Sequence, residues 1–270
     1  PDRNNRQSRT YFFGSIPGDE IADYSFNYLS GGTNVRSTSY NFYEEGALIL
    51  RASSANPSDA LKITTSYKGI QDIGSAQNPD TVITNRQSKT FFDTHLSQGD
   101  EIADYSYNYA NNGSTVKSVS VNYYGGNTRA FDPLLTKPVA LTRSDSHKTD
   151  SMTTVATSNR TSSTYFVGTE PGDEIADYSF NYKSGSGTVI RSTSVNFYEQ
   201  WTDSNSDSIR QSTELKNVRA SGAVSGVDPL KLSSSYRGDK SSELALVDNL
   251  DSAPDRNNRQ SRTYFFGSIP

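Results

Sequence analysis

Gly18 to Tyr28 reads GDEIADYSFNY, and the same stretch returns at Gly99 to Tyr109 (GDEIADYSYNY) and at Gly172 to Tyr182 (GDEIADYSFNY). Only one position varies, Phe26 to Tyr107 to Phe180. Eleven residues do not recur three times by chance, so the chain is a repeat protein and the repeat has to be read before any single residue. The stretch alternates. Ala22, Tyr24, Phe26 and Tyr28 fall on one face of an extended strand, and Ile21, Asp23, Ser25 and Asn27 on the other. The positions Gly18, Tyr24, Phe26, Tyr28, with Gly99, Tyr105, Tyr107, Tyr109 and Gly172, Tyr178, Phe180, Tyr182, are the structural signature of the repeat.

Around this core each module follows one plan. An Asn-Arg segment leads into an aromatic strand, as in Asn5 (NRQSRTYFFG), Asn85 (NRQSKTFFD) and Asn159 (NRTSSTYFVG). After the GDE strand comes a Gly- and Asn-rich hairpin turn. The return strand keeps Arg36, Thr38, Tyr40 and Phe42 on one face and a Ser-x-Ser-x-Asn run on the other. The aromatic face is expected to be packed. The polar Asp-x-Ser-x-Asn ladder is expected to be buried between modules or subunits. A third element is read at Asp59–Ile63, at Phe131–Leu135 and at Val227–Leu232. The insertions, such as 200–218, read as loops or short helical pieces, and Glu243 to Leu250 as a candidate helix capped by Ser242.

A longer period contains the short one. Pro1 to Pro17 is identical to Pro254 to Pro270, an offset of 253 residues. The expected organisation is module one at 1–80, module two at 81–154, module three at 155–253, and at 254–270 the start of the next 253-residue unit of a longer chain. The expected fold class is all-β: tandem β-hairpin repeat modules in an elongated array, either a continuous solenoid-like sheet or a string of immunoglobulin-like sandwiches.

Composition narrows the function. Hydrophobic residues make up 32%, and much of that is 17 Tyr and 12 Phe, material for thin aromatic layers and not for a thick aliphatic core. With no Cys there is no disulfide framework and no thiol chemistry. A net charge of −4 with both signs mixed argues against nucleic acid as a partner. No apolar run approaches a membrane span.

The cadence Tyr-x-Tyr, Gly-rich turn, β-branched return strand, then Tyr-Glu or Tyr-Gly-Gly, carried by Tyr24 to Glu44, Tyr105 to Gly126 and Tyr178 to Glu199, resembles the RHS or YD-repeat family of prokaryotic surface proteins. The likeness covers about a quarter of the chain. The family's Tyr-Asp-x-x-Gly core is absent; Tyr43-Glu44-Glu45-Gly46 comes nearest. The resemblance implies a large extracellular β-sheet assembly on the surface of a prokaryote.

The candidate chemistry is sparse. The acidic trio Asp19, Glu20, Asp23 and its copies Asp100, Glu101, Asp104 and Asp173, Glu174, Asp177 offers hard oxygen ligands of the kind calcium takes. Against that, no Asp-x-Asp-x-Asp-Gly loop is present, and alternation sends Glu20 and Asp23 to opposite faces. A turn and ladder role is the stronger expectation, with no other cofactor. Arg237-Gly238-Asp239 spells a cell-attachment tripeptide but reads better as a turn. His95 and His147 read as surface-loop residues at non-equivalent positions. No catalytic residue is expected. The function expected is structural, the shaft of an extracellular filament or giant cell-surface protein whose main partner is itself. The alternative is an adhesin that binds glycans or cell surfaces through repeat loops.

Overall fold

The computed structural model describes residues 6–72, 74, 77–82, 84–96, 98–202, 204–205, 215–220, 229–246 and 258–265. Among these the protein is all-β, with fifteen strands, antiparallel pairing throughout and no α-helix. The expected third element at Val227 and Asp228, and the far end of the candidate helix at 247–250, lie outside the described residues.

The chain forms two compact units. The first comprises Pro1–Asn122, Arg129–Pro138 and Lys148–Val155. Its strands are β1 (Ser8–Phe13), β2 (Ile21–Tyr28), β3 (Val35–Glu45), β4 (Leu48–Arg51), β5 (Ala60–Lys68), β6 (Arg86–Asp93), β7 (Ile102–Tyr109) and most of β8 (Val116–Tyr124). They pair in the order β1-β2-β3-β5-β6-β7-β8, and β4 folds back on the far end of β3. The second unit comprises Tyr123–Thr128, Val139–His147 and Ala156–Pro270. It holds β9 (Leu141–His147), β10 (Arg160–Val167), β11 (Ile175–Tyr182), β12 (Ile190–Trp201), β13 (Leu215–Arg219), β14 (Leu230–Arg237) and β15 (Arg259–Tyr264). These run β9-β10-β11-β12-β14-β15, and β13 pairs with β12 as β4 does with β3.

The module plan is therefore aromatic strand, GDE strand, return strand, third strand. The hairpins form where the Gly-rich turns place them, Leu29 to Asn34 closing with Leu29 N–H donating to Asn34 O at 2.8 Å. The packed face is the aromatic one. Thr38, Tyr40 and Phe42 of β3 and Thr65 and Tyr67 of β5 are fully buried. Rings stack across strands, Tyr11 on Tyr24 at 4.5 Å, Phe91 on Tyr105 at 4.6 Å and Tyr165 on Tyr178 at 4.6 Å. Each stacked pair adds about 0.5–1.5 kcal/mol beyond area burial. Connections cover this face. Tyr40 Oη donates to Gln71 O and Tyr67 Oη to Val82 O, both in the segment after β5. In the second unit Leu244 closes the cluster of Phe180, Val195, Phe197, Leu232 and Tyr236.

The other face carries a half-buried ladder. Thr10–Ser25, Thr90–Ser106 and Thr164–Ser179 pair hydroxyls at 2.8–2.9 Å in the three modules. Asn41 Oδ1 accepts from Thr64 Oγ1 at 2.9 Å.

Four expectations are corrected. The third strand of module two is β9 and not Phe131–Leu135, which forms turns with Phe131 and Leu134 exposed. The alternation Leu-x-x-Ser-x-Ser in β9 matches β5 and β14 in type, and it lies further from the return strand because a turn built on Asp132 and Pro133 intervenes. Within the 200–218 insertion, the described residues of β13 form a strand and not a loop. Glu243 to Leu246 belongs to a 3₁₀ turn, Ser241–Leu246, and not an α-helix. His147 sits in β9, buried, at the place that Tyr67 and Tyr236 hold in β5 and β14, whereas His95 is exposed in a turn.

Candidate functional site

The GDE stretch builds the same constellation three times, and in each copy the Glu and the second Asp make defined contacts. Gly18, Gly99 and Gly172 adopt φ of +95, +86 and +92, which a side chain would strain. Each donates its N–H at 2.9 Å to Oε2 of the Glu two residues on, Glu20, Glu101 or Glu174. Two of these carboxylates also reach the preceding module. Glu101 Oε1 accepts Leu61 N–H at 2.8 Å and Glu174 Oε1 accepts Leu141 N–H at 2.7 Å. Asp19, Asp100 and Asp173 are exposed at the turn.

Asp23, Asp104 and Asp177 are not on the polar ladder where alternation put them. The pairing of β1 with β2 passes from Tyr11↔Tyr24 to Phe12↔Ala22, so Asp23 is an extra residue. The register slips identically at Asp104, between Phe91↔Tyr105 and Phe92↔Ala103, and at Asp177, between Tyr165↔Tyr178 and Phe166↔Ala176. A β-bulge kinks the strand and re-aims a side chain, which is why simple alternation fails at this position.

The re-aimed carboxylate meets an arginine. Asp23 accepts from Arg51 Nε and Nη2 at 2.7 and 2.8 Å, and Asp104 from Arg129 Nε and Nη2 at 2.8 and 2.7 Å. Asp177 accepts from Arg219 Nε at 3.0 Å and also from its Nη2. Arg51 lies 4.6 Å over the Tyr40 ring and Arg219 5.7 Å over Tyr178. Each arginine is followed by an alanine that is 0–1% exposed, Ala52, Ala130 or Ala220. That Arg-Ala pair, spaced differently in each module, is the sequence signal that the repeat reading missed.

The bulge also frees a carbonyl. Ala22 O accepts Asn41 Nδ2 at 3.1 Å and Tyr43 Oη at 2.6 Å, and Ala176 O accepts Asn196 Nδ2 at 3.0 Å and Tyr198 Oη at 2.6 Å. Asn122 does the same to Ala103 O at 3.0 Å. Burial pushes Tyr43 and Tyr198 up to about 12. The opening Asn-Arg segment has a matching task. Arg86 covers the Tyr109 ring at 4.0 Å and donates to Gly113 O, and Arg160 covers Tyr182 at 4.5 Å and donates to Gly187 O.

Chemically, the constellation locks strands together. The carboxylates of Asp23, Asp104 and Asp177 are engaged by guanidinium groups, and those of Glu20, Glu101 and Glu174 by backbone N–H groups. Among the described residues no three His, Asp or Glu side chains are grouped so as to hold a metal ion. Arg237-Gly238-Asp239 forms a turn, with Gly238 at φ +78 and its N–H on Arg191 O. No described helix is long and apolar enough to cross a membrane. No protein-family model, curated protein or solved structure matches the chain.

Proposed function

We propose that this chain is a structural repeat unit of an extracellular filament or giant cell-surface protein, an elongated length of β-rich shaft and not an enzyme. One observation carries the reading. The module-opening strands β6 and β10 are each shared between two modules in one register. β6 pairs Ile63↔Phe91, Thr64↔Thr90 and Ser66↔Ser88 with the strand before it, and β10 pairs Arg143↔Tyr165, Ser144↔Thr164 and Ser146↔Ser162. Strand sharing of this kind extends without limit in one direction, as repeat arrays do. The 253-residue identity supplies the next unit, and the resemblance to RHS or YD repeats supplies the prokaryotic surface setting. The polar groups of the GDE stretch serve architecture, which fits mechanical spacing better than chemistry.

Negative-stain imaging of the native product, with its intact mass, tests this. The expected result is a thread of uniform width from a chain several units long. A mature product no larger than one 253-residue unit, imaged as isolated particles, overturns it.

A further inference from the structure

The Asn-Arg segment that opens a module is spent differently in modules two and three. In module three each of its polar side chains has a partner within the chain. Asn159 Oδ1 accepts Ala156 N–H at 3.1 Å and lies 3.0 Å from His147 Nδ1. Arg160 donates to Gly187 O, and Thr161 Oγ1 donates to Ser146 O at 3.0 Å. The turn Thr157–Asn159 also closes the space beside the hairpin, its Thr157 carbonyl standing where a side chain on Gly187 would have to go. In module two the same positions are open. Arg86 keeps the bond to Gly113 O, but Asn85 and Gln87 are exposed, and their side chains make no hydrogen bond among the described residues. Asn85 has φ of +61, the only described residue other than glycine in the left-handed region, which asparagine tolerates better than most.

Asn85 and Gln87 wall a cleft of about 390 Å³ together with Lys68 at the end of β5 and Asn111 just past β7. Tyr109, whose ring Arg86 covers at 4.0 Å, lines it as well. That volume is at the lower end of the roughly 300–1,000 Å³ of small-molecule sites, room for a single ring and not for a long chain. The Lys68 and Asn111 side chains, like those of Asn85 and Gln87, are exposed and make no hydrogen bond among the described residues. Four such groups on one cleft define what fills it. An amide presents a donor and an acceptor side by side, the match for neighbouring hydroxyls on a ring. The charged residues are Lys68 and Arg86, and no carboxylate lines the cleft, although the chain as a whole carries −4. Arg86 spends Nε on Gly113 O and Nη1 on Asp80, which leaves Lys68 as the cation open to a ligand.

We infer that this cleft binds an acidic monosaccharide, a uronic or sialic acid, with Lys68 on its carboxylate and the amides of Asn85, Gln87 and Asn111 on its hydroxyls. A bare anion would leave the three amides idle, and a neutral sugar would leave Lys68 idle. Module three has closed the equivalent place with its own Asn159 and Thr161, so the site belongs to module two. It is complete within the first compact unit and stands whether or not the chain is part of a shaft.

Titration of the isotope-labelled chain with sodium glucuronate, N-acetylneuraminate, glucose and sulfate, read from the side-chain amide signals in proton–nitrogen correlation spectra, tests this. At least one acidic sugar is expected to shift the Asn85, Gln87 and Asn111 signals with half-saturation at about 1 mM, and glucose to need about tenfold more. Sulfate and the Asn159 signal serve as controls: sulfate leaves the three amides in place, and Asn159 does not move with any of the four. In Lys68→Ala the preference for the acidic sugar over glucose is expected to vanish, and in Asn111→Ala both sugars weaken alike, by about tenfold. Both substitutions are at exposed positions, and far-ultraviolet circular dichroism identical to the parent's confirms that the fold is kept. Amide signals that neither acidic sugar moves overturn the inference. So do equal binding of glucose and glucuronate, a preference that survives Lys68→Ala, and sulfate shifts as large as those of glucuronate, which would reduce the cleft to a bare anion site.

Discussion

Strands β5 and β9 stand at the same place in successive modules and are filled by opposite chemistry. β5 turns Ile63, Thr65 and Tyr67 to the packed face, and all three are buried. β9 turns Arg143, Asp145 and His147 there. Asp145 is 2% exposed and faces Arg143 Nε at 3.1 Å and Arg160 Nη1 at 3.4 Å. His147 Nδ1 lies 3.1 Å from Ala156 O and 3.0 Å from Asn159 Oδ1, two acceptors that fix its proton on Nδ1. Around β5 the charge sits one strand over: Lys89 and Arg86 of β6 reach Asp80 at 2.9 and 3.2 Å. What both regions keep is the bulge with its arginine and its capped carbonyl. The ring filling is exchangeable for a cluster of buried charges, in which Arg143 Nε, Asp145 Oδ1 and His147 Nε2 make no hydrogen bond among the described residues, whereas the backbone device that fixes the register is kept.

The largest expected effect is a pH effect on the ring packing, which Tyr105 carries into the module of β9 as well, burial pushing it too up to about 12. Burial pushes Tyr40, Tyr43 and Tyr67 up to about 12 in the ring-filled module. An unfolded tyrosine ionises near pH 10, so the folded state favours the neutral form. That stabilisation is complete below pH 10 and is lost as pH rises through about 12. With one pKa unit equivalent to about 1.4 kcal/mol, several such rings amount to a full unfolding transition. A titration followed at 295 nm should show a cooperative rise as pH approaches about 12 that coincides with loss of β-sheet circular dichroism. A single non-cooperative wave near 10 would show that these rings are not packed.

The next effect sharpens the charge side. Asp145→Ala leaves Arg143 and Arg160 facing each other without a counter-charge. Breaking a buried pair costs about 3–5 kcal/mol, and because the arginines are 16% and 20% exposed the expected loss is about 2–4 kcal/mol. Lys89→Ala removes the matching charge near β5, but its partner Asp80 is 67% exposed, so about 1 kcal/mol or less is expected. Urea melts of the two variants check the ratio. Equal losses would mean that β9 is no more dependent on its charges than β5 is on Lys89.

Much of this architecture was legible in the sequence, because the repeat supplied three readings of every strand. The hairpins, the packed aromatic face and the polar ladder all follow from alternation. Alternation failed at Asp23, since a bulge inserts one residue and period-two reading has no way to register it. It failed again at β9, where Arg143, Asp145 and His147 replace the apolar residues that mark a packed strand. The arginines that hold the bulge were missed because Arg51, Arg129 and Arg219 fall at unequal distances from the GDE stretch. Aligned modules would have exposed the buried Arg-Ala pair that those unequal loops concealed.

A smaller effect tests the capped carbonyl in the first and third modules. Tyr43→Phe removes one of two donors from Ala22 O and Tyr198→Phe one of two from Ala176 O. Asn41 and Asn196 remain, so each loss is expected at about 1 kcal/mol, the same in both units. Thermal melts that differ by more than a factor of two between the variants would show that the bulge is held differently in each.

The smallest effect concerns the face that neither region packs. Thr90 and Ser106 pair hydroxyls at 2.8 Å on a half-buried ladder, as Thr10–Ser25 and Thr164–Ser179 do. If solvent reaches this face, Ser106→Ala exchanges a protein partner for water, and Thr90 keeps a hydrogen bond at little cost. The expected loss is then below about 0.5 kcal/mol. If another module or subunit covers the ladder, the orphaned Thr90 hydroxyl has no water to turn to, and the loss rises to about 1–3 kcal/mol. Melts of Ser106→Ala across a wide concentration range distinguish the two. A loss near zero at every concentration marks an open face. A loss that appears only where the chain associates marks the ladder as a contact between copies, the burial that the sequence pattern led one to expect.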